Sequence, residues 1–98
     1  MDKNTHMTIL FDIYSELLTD KQKEYFEDYY FNNLSLSEIS ENNNVSRNAI
    51  HKQVKVVEKN LEQFETKLKL YEKSKKLENI INEVNDPYIK NKLEELNR

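Results

Sequence analysis

The chain has 98 residues, 34% of them charged, a net charge of −3, one Pro, and neither Gly nor Cys. Without cysteine there is no disulfide framework and no thiolate zinc site, and His6 and His51 are too far apart in sequence to form a local metal-ligand pair. The length suits one domain, residues 1–98, with one modest core, and the lack of Gly disfavours sheets with tight turns, which leaves an all-α chain.

The N-terminus, residues 1–7, is polar and lacks the apolar stretch of a signal peptide, and no apolar run approaches the roughly 20 residues that span a bilayer. The expected location is the cytoplasm, with no membrane partner. Ile9, Leu10, Ile13, Tyr14 and Leu17 recur at three and four spacings and predict a first helix over about 7–17 with those residues inward. Thr19 is a good N-cap, followed by Asp20 at the positive helix start, so a second helix should run over about 20–31. Tyr25, Phe26, Tyr29 and Tyr30 on that helix read as a compact aromatic core, with a base-stacking platform as the alternative.

Ser35 with Glu38 three residues on forms a capping box before Leu36 and Ile39, and predicts a short third helix from 36 to 41 or 42. The triplet Asn42, Asn43 and Asn44 tolerates left-handed backbone angles and permits a tight turn without Gly, after which Val45 is expected to point inward and Ser46 to cap the next helix. Nothing then stops a helix until about Tyr71, giving a rod about 37 Å long. Leu77, Ile80, Ile81 and Val84 suggest a further helical stretch, with a bend or break across the polar residues 72–76. Asp86 and Pro87 read as the cap and first position of a last helix whose inward residues would be Ile89, Leu93 and Leu96.

At 100° per residue, Ile50, Val54, Val57, Leu61, Phe64 and Leu68 fall within about 260–340° of Arg47, whereas Arg47, Asn48, His51, Lys52, Lys55 and Lys59 fall within about 0–140°. The bihelical unit between about Leu34 and Lys59 would therefore bury one stripe and present a row consisting of Ser46, Arg47, Asn48, His51, Lys52, Lys55 and Lys59. In a helix-turn-helix such a row enters the major groove, where cationic side chains reach guanine edges or phosphates; the plainer alternative is a solvated helix face. Charge is uneven in the same sense. Residues 1–44 carry three Lys against nine Asp or Glu, residues 45–59 carry four basic side chains against Glu58, and residues 60–98 carry eight of each sign. An acidic body with one basic stretch repels phosphate everywhere except at that stretch, so contact with DNA or RNA would be local. No apolar pocket or polarised partner is legible around the carboxylates, so neither enzymatic activity nor a cofactor, metal or small-molecule substrate is expected.

The stretch from Leu18 to Lys55, with Leu18, Gln22, Tyr30, Leu36-Ser37-Glu38-Ile39, Val45-Ser46-Arg47 and Ala49-Ile50, resembles the region 4 helix-turn-helix of bacterial sigma factors. Nearly the whole chain, including Phe11-Asp12-Ile13-Tyr14, Leu17-Leu18-Thr19, Leu68-Lys69-Leu70-Tyr71 and Asp86-Pro87, more closely resembles the YlxM family of low-GC Gram-positive bacteria. The sigma resemblance implies a helix-turn-helix core over 18–59 with Arg47, Asn48, His51 and Lys52 facing bases. The YlxM resemblance implies a regulatory role linked to the signal recognition particle, whose GTPase is encoded beside family members. It makes DNA, or the particle's RNA or protein, the expected partner. A different reading is a protein-interaction adaptor that uses the acidic first half and binds no nucleic acid.

Leu61, Phe64, Leu68 and Tyr71 continue the apolar stripe beyond the helix-turn-helix, into the extension formed by residues 60–98. Leaving four such side chains in water is costly, at roughly 1.5–3 kcal/mol each. They are expected to meet a second copy of the chain, as a homodimer interface, unless the first helix or the folded-back last helix covers them.

Overall fold

The computed structural model describes residues Met1–Arg98 as helices and short connections. The helices are α1 (Lys3–Tyr14), α2 (Asp20–Tyr30), α3 (Leu36–Asn43), α4 (Arg47–Leu68), α5 (Leu70–Ile81) and α6 (Pro87–Leu96), with a 3₁₀ turn at Ser15–Leu17. The fold is all-α, and no helix is long and apolar enough to cross a membrane. The chain divides into two compact units, Met1–Lys67 and Leu68–Arg98, with the division at the end of α4.

In the first unit each helix start is fixed by a side chain that accepts from a free backbone N–H. Asp2 accepts from Thr5 N (2.8 Å), which starts α1 four residues earlier than periodicity suggests. Thr19 and Gln22 form a reciprocal capping box at α2, and Ser35 and Glu38 form one at α3. Because α1 starts early and ends at Tyr14, its buried residues are Met7, Leu10, Phe11 and Tyr14, while Ile9 and Ile13 are half-buried and Leu17 is exposed. The expected inward set was thus only half right: Leu17 lies in the 3₁₀ turn, outside the helical register that would have carried it inward.

The aromatic residues of α2 build a core. Phe26 is fully buried and stacks on Phe11 of α1 and on Tyr30, with ring centroids 4.3 Å apart in both pairs. Such stacked pairs add about 0.5–1.5 kcal/mol beyond their area. Tyr29 and Phe31 remain at the surface.

Asn44 closes α3 in the left-handed region (φ 56°, ψ 40°), and Val45 N–H donates back to Ser40 O at 3.2 Å. That closure turns Val45 outward, 41% exposed, which corrects the expectation that it points inward. Ile39 of α3 and Ile50 and Val54 of α4 form a buried cluster instead, flanked by Tyr25, Tyr30, Leu34 and Leu36.

Helix α4 stops at Leu68, earlier than expected, because Lys69 adopts left-handed angles (φ 56°, ψ 33°). The bend or break expected across 72–76 falls earlier, at Lys69: α5 is helical through 72–76, supported by a Glu72–Lys76 ion pair (3.2 Å) at i,i+4. Leu61 is fully buried within the first unit, and the Phe64 ring lies half-buried 5.9 Å from that of Tyr14. The stripe as far as Phe64 therefore packs in part against the chain's own first helix. Leu68 is exposed and Tyr71 half-buried.

In the second unit Asp86 caps α6 by accepting from Tyr88 N and Ile89 N, with Pro87 in the first turn, as the sequence predicts. Of the expected inward residues only Leu93 is half-buried; Ile89 and Leu96 are exposed, because α5 is the only neighbour the hairpin supplies and it covers one flank of α6.

Asn44 tests the turn that orients α4. Replacing Asn44 with Val forces a β-branched residue into left-handed angles and is expected to cost about 1–2 kcal/mol in urea denaturation. Asn44→Gly is expected to stay within about 0.5–1 kcal/mol of wild type.

Candidate nucleic-acid interface

The start of α4 is set by Ser46, whose Oγ accepts from Ala49 N–H at 3.1 Å while its carbonyl accepts from Ile50 N–H at 3.2 Å. With Ile50, Val54, Val57 and Leu61 buried, the opposite face is forced into water. Ser46, Arg47, Asn48, His51, Lys52, Lys55 and Lys59 are all exposed, and they lie on the first turns of one helix. The structure thus brings the whole predicted row together.

Arg47, Lys52 and Lys59 pair with no carboxylate, so their charges stay available. Lys55 differs, since its Nζ lies 3.4 Å from Glu58 Oε1. Beside the row, Val45 and Ala49 border a groove of about 350 Å³ with Tyr25 and Ile50 at its floor, a feature that the inward assignment of Val45 concealed.

Glu58 is the residue that sequence reasoning missed. It sits on α4, only 8% exposed, and gathers three donors from three helices. The Tyr30 hydroxyl of α2 donates to Oε2, Lys3 Nζ of α1 lies 3.3 Å from the same oxygen, and Lys55 approaches Oε1. Burial by itself would raise the Glu58 carboxyl pKa, but the Tyr30 hydrogen bond and the Lys3 and Lys55 ammonium groups outweigh it and hold the group below its ordinary value. Burial pushes the Tyr30 phenol up, and its bond to Glu58 adds to that shift. Lys3 is raised in turn by its contact with Glu58. Farther along the helix, His6 Nε2 lies 2.7 Å from Glu62 Oε1, and Tyr14 Oη donates to Glu65 Oε1 at 2.6 Å. These contacts run along α1 and tie it to α4, the Tyr14–Glu65 bond part-buried and the His6–Glu62 contact at the surface.

All 98 residues match the family model of YlxM/p13-like helix-turn-helix proteins, UPF0122. The chain belongs to the UPF0122 family. A UPF0122 protein of Fusobacterium nucleatum is 42% identical over 96 residues, 98% of this chain and 93% of the relative. One of Streptococcus mutans is 42% identical over 98 residues, 95% of this chain and 89% of the relative. Another, of Malacoplasma penetrans, reaches 58% identity over 65 residues, 66% of this chain and 61% of the relative. For this UPF0122 chain, family and geometry agree on the helix-turn-helix.

The Glu58 node has a pH signature. Its folded pKa lies below the unfolded one, so its stabilisation is complete at neutral pH and is lost as pH falls through the lowered value; Tyr30, shifted upward, contributes until strongly alkaline pH. Tyr30→Phe is expected to cost about 1–3 kcal/mol at neutral pH, since it leaves a buried carboxylate oxygen short of a donor. The stability gap between wild type and Glu58→Gln, measured in urea, is expected to narrow from about pH 7 to about pH 3. A gap independent of pH would contradict the role assigned to Glu58.

Proposed function

We propose that this UPF0122 protein is a non-enzymatic cytoplasmic regulator that binds a nucleic-acid duplex through the first turns of α4. The observation that carries this reading is the exposed row Arg47, Asn48, His51, Lys52, Lys55 and Lys59 on a helix anchored by α3 on its other side. Arg47 and Asn48, at the helix start, have the donor groups that pair with guanine and adenine edges, and Lys52 and Lys59 suit phosphate contacts, with Lys55 shared between Glu58 and the outer face. The acidic remainder of the chain acts as negative selection, holding off phosphate except where the row meets it.

The association with the signal recognition particle that the YlxM resemblance implies makes the particle's RNA the second probe beside duplex DNA. A protein-adaptor role keeps one specific support: Asp12, Glu16, Asp20, Glu24, Glu27, Glu38 and Glu41 are all exposed and suit a basic partner.

Fluorescence anisotropy at two salt concentrations separates the two readings. If about four phosphates of duplex DNA are contacted, log affinity should fall against log salt with a slope of about −3.6. The double substitution Lys52→Glu and Lys59→Glu, which leaves the Glu58 contacts intact, is expected to weaken binding by at least tenfold and flatten the slope. Absence of binding to both DNA and the particle's RNA at low salt would favour the adaptor.

A further inference from the structure

Helices α5 and α6 form an antiparallel hairpin, with Asn97 Nδ2 near the end of α6 donating to Ser74 O in the first half of α5 (3.3 Å). The hairpin buries one apolar side chain, Ile81, and half-buries Leu77, Val84 and Leu93. Ile80, Ile89 and Leu96 remain 56%, 47% and 76% exposed. At 100° per residue, Ile80 lies roughly 90° from the line along which α5 meets α6, and Ile89 and Leu96 lie roughly 70–90° from the matching line on α6, in the same rotational sense. In antiparallel helices an equal sense of rotation leads to the same side of the hairpin. The three side chains therefore belong to one face, bordered by Leu77 and Leu93 and carrying Lys73 one heptad before Ile80 on α5.

Size, charge and area identify the occupant of that face. Residues 68–98 fall short of the roughly 40 residues below which small units usually need oligomerisation, disulfides or a metal, and the chain has no cysteine. Residues 68–98 carry seven basic and six acidic side chains, whereas residues 1–67 carry eight and twelve. A second copy of this nearly neutral surface meets no net repulsion, while a strongly acidic or basic partner finds no matching charge. The face is about 15–18 Å long and about 20 Å wide, so a two-fold pairing removes on the order of 1,000 Å² of surface, at the lower limit for a specific interface and suited to a reversible dimer.

We propose that the α5–α6 hairpin is a homodimerisation module, in which Ile80, Ile89, Leu93 and Leu96 of one copy pack on the same face of another to complete a four-helix bundle. The pairing relocates the contact between copies from the α4 seam, which α1 covers in part, to the C-terminal unit. It uses a surface separate from the basic row and stands independently of nucleic-acid binding.

Sedimentation equilibrium of the full chain at micromolar concentration should give twice 11.9 kDa for wild type and 11.9 kDa for the double variant Ile89→Glu, Leu96→Glu. Circular dichroism reports whether that variant keeps its helices. A monomeric wild type overturns the proposal, as does a well-folded variant that stays dimeric. If the variant does not fold, the native face is tested directly: with no cysteine in the chain, Lys92→Cys carries a single nitroxide at the edge of the face. Packed hairpins should bring two such labels within about 30 Å across the dimer, given helix axes 8–10 Å apart. Absence of inter-chain dipolar coupling overturns the proposal.

Discussion

Ile50, Val54, Val57 and Leu61 carry most of what α4 contributes to the first unit, and their burial determines which side of the helix meets water. Fully burying such side chains is worth roughly 1.5–3 kcal/mol each, far more than an exposed ion pair, which is typically worth about 0–1 kcal/mol. The charged residues of α4 therefore do not choose their own orientation. They face outward because the apolar stripe is held by α1 on one side and by α3 on the other, and the basic row is a consequence of packing.

The Glu58 node refines that arrangement. It ties α1, α2 and α4 together through one carboxylate and draws Lys3 and Lys55 toward it, so part of the positive charge near the row is spent inside the protein. Arg47, Lys52 and Lys59 are left as the side chains that define the outward potential. Glu58 is buried but Lys3 and Lys55 are 60% and 55% exposed, so the ion pairs themselves add little, and the costly loss is that of a donor to the buried carboxylate. The node fixes the register between the helices more than it strengthens them.

Features legible in the sequence were the ones decided by neighbours in the chain. The Thr19 cap, the Ser35–Glu38 capping box, the Ser46 cap, a left-handed turn within the Asn42–Asn44 triplet and the Asp86–Pro87 start all depend on residues within four positions, and each appears where the sequence reading puts it. The Gln22 half of the box at α2 and the choice of Asn44 within the triplet come from the structure. The basic row was legible for a related reason: helical periodicity alone separates it from the apolar stripe. What escaped depends on distant or energetically close choices. Glu58 draws its partners from residues 3 and 30, which no local pattern connects to it. Lys69 occupies left-handed angles at a residue type that gives no warning of them. Val45, Ile89 and Leu96 show that an apolar residue in good register turns inward only where another element is there to receive it.

The account rests on the outward face of α4 being the surface that meets nucleic acid. Amide NMR of the full chain titrated with duplex DNA tests this most directly, because each residue reports separately. The account predicts that the largest shifts cluster on Arg47, Asn48, His51 and Lys52, with the outer residues of α2 unmoved. Shifts confined to the acidic surface around Asp12, Glu16 and Glu24, or no shifts at low salt, would contradict it.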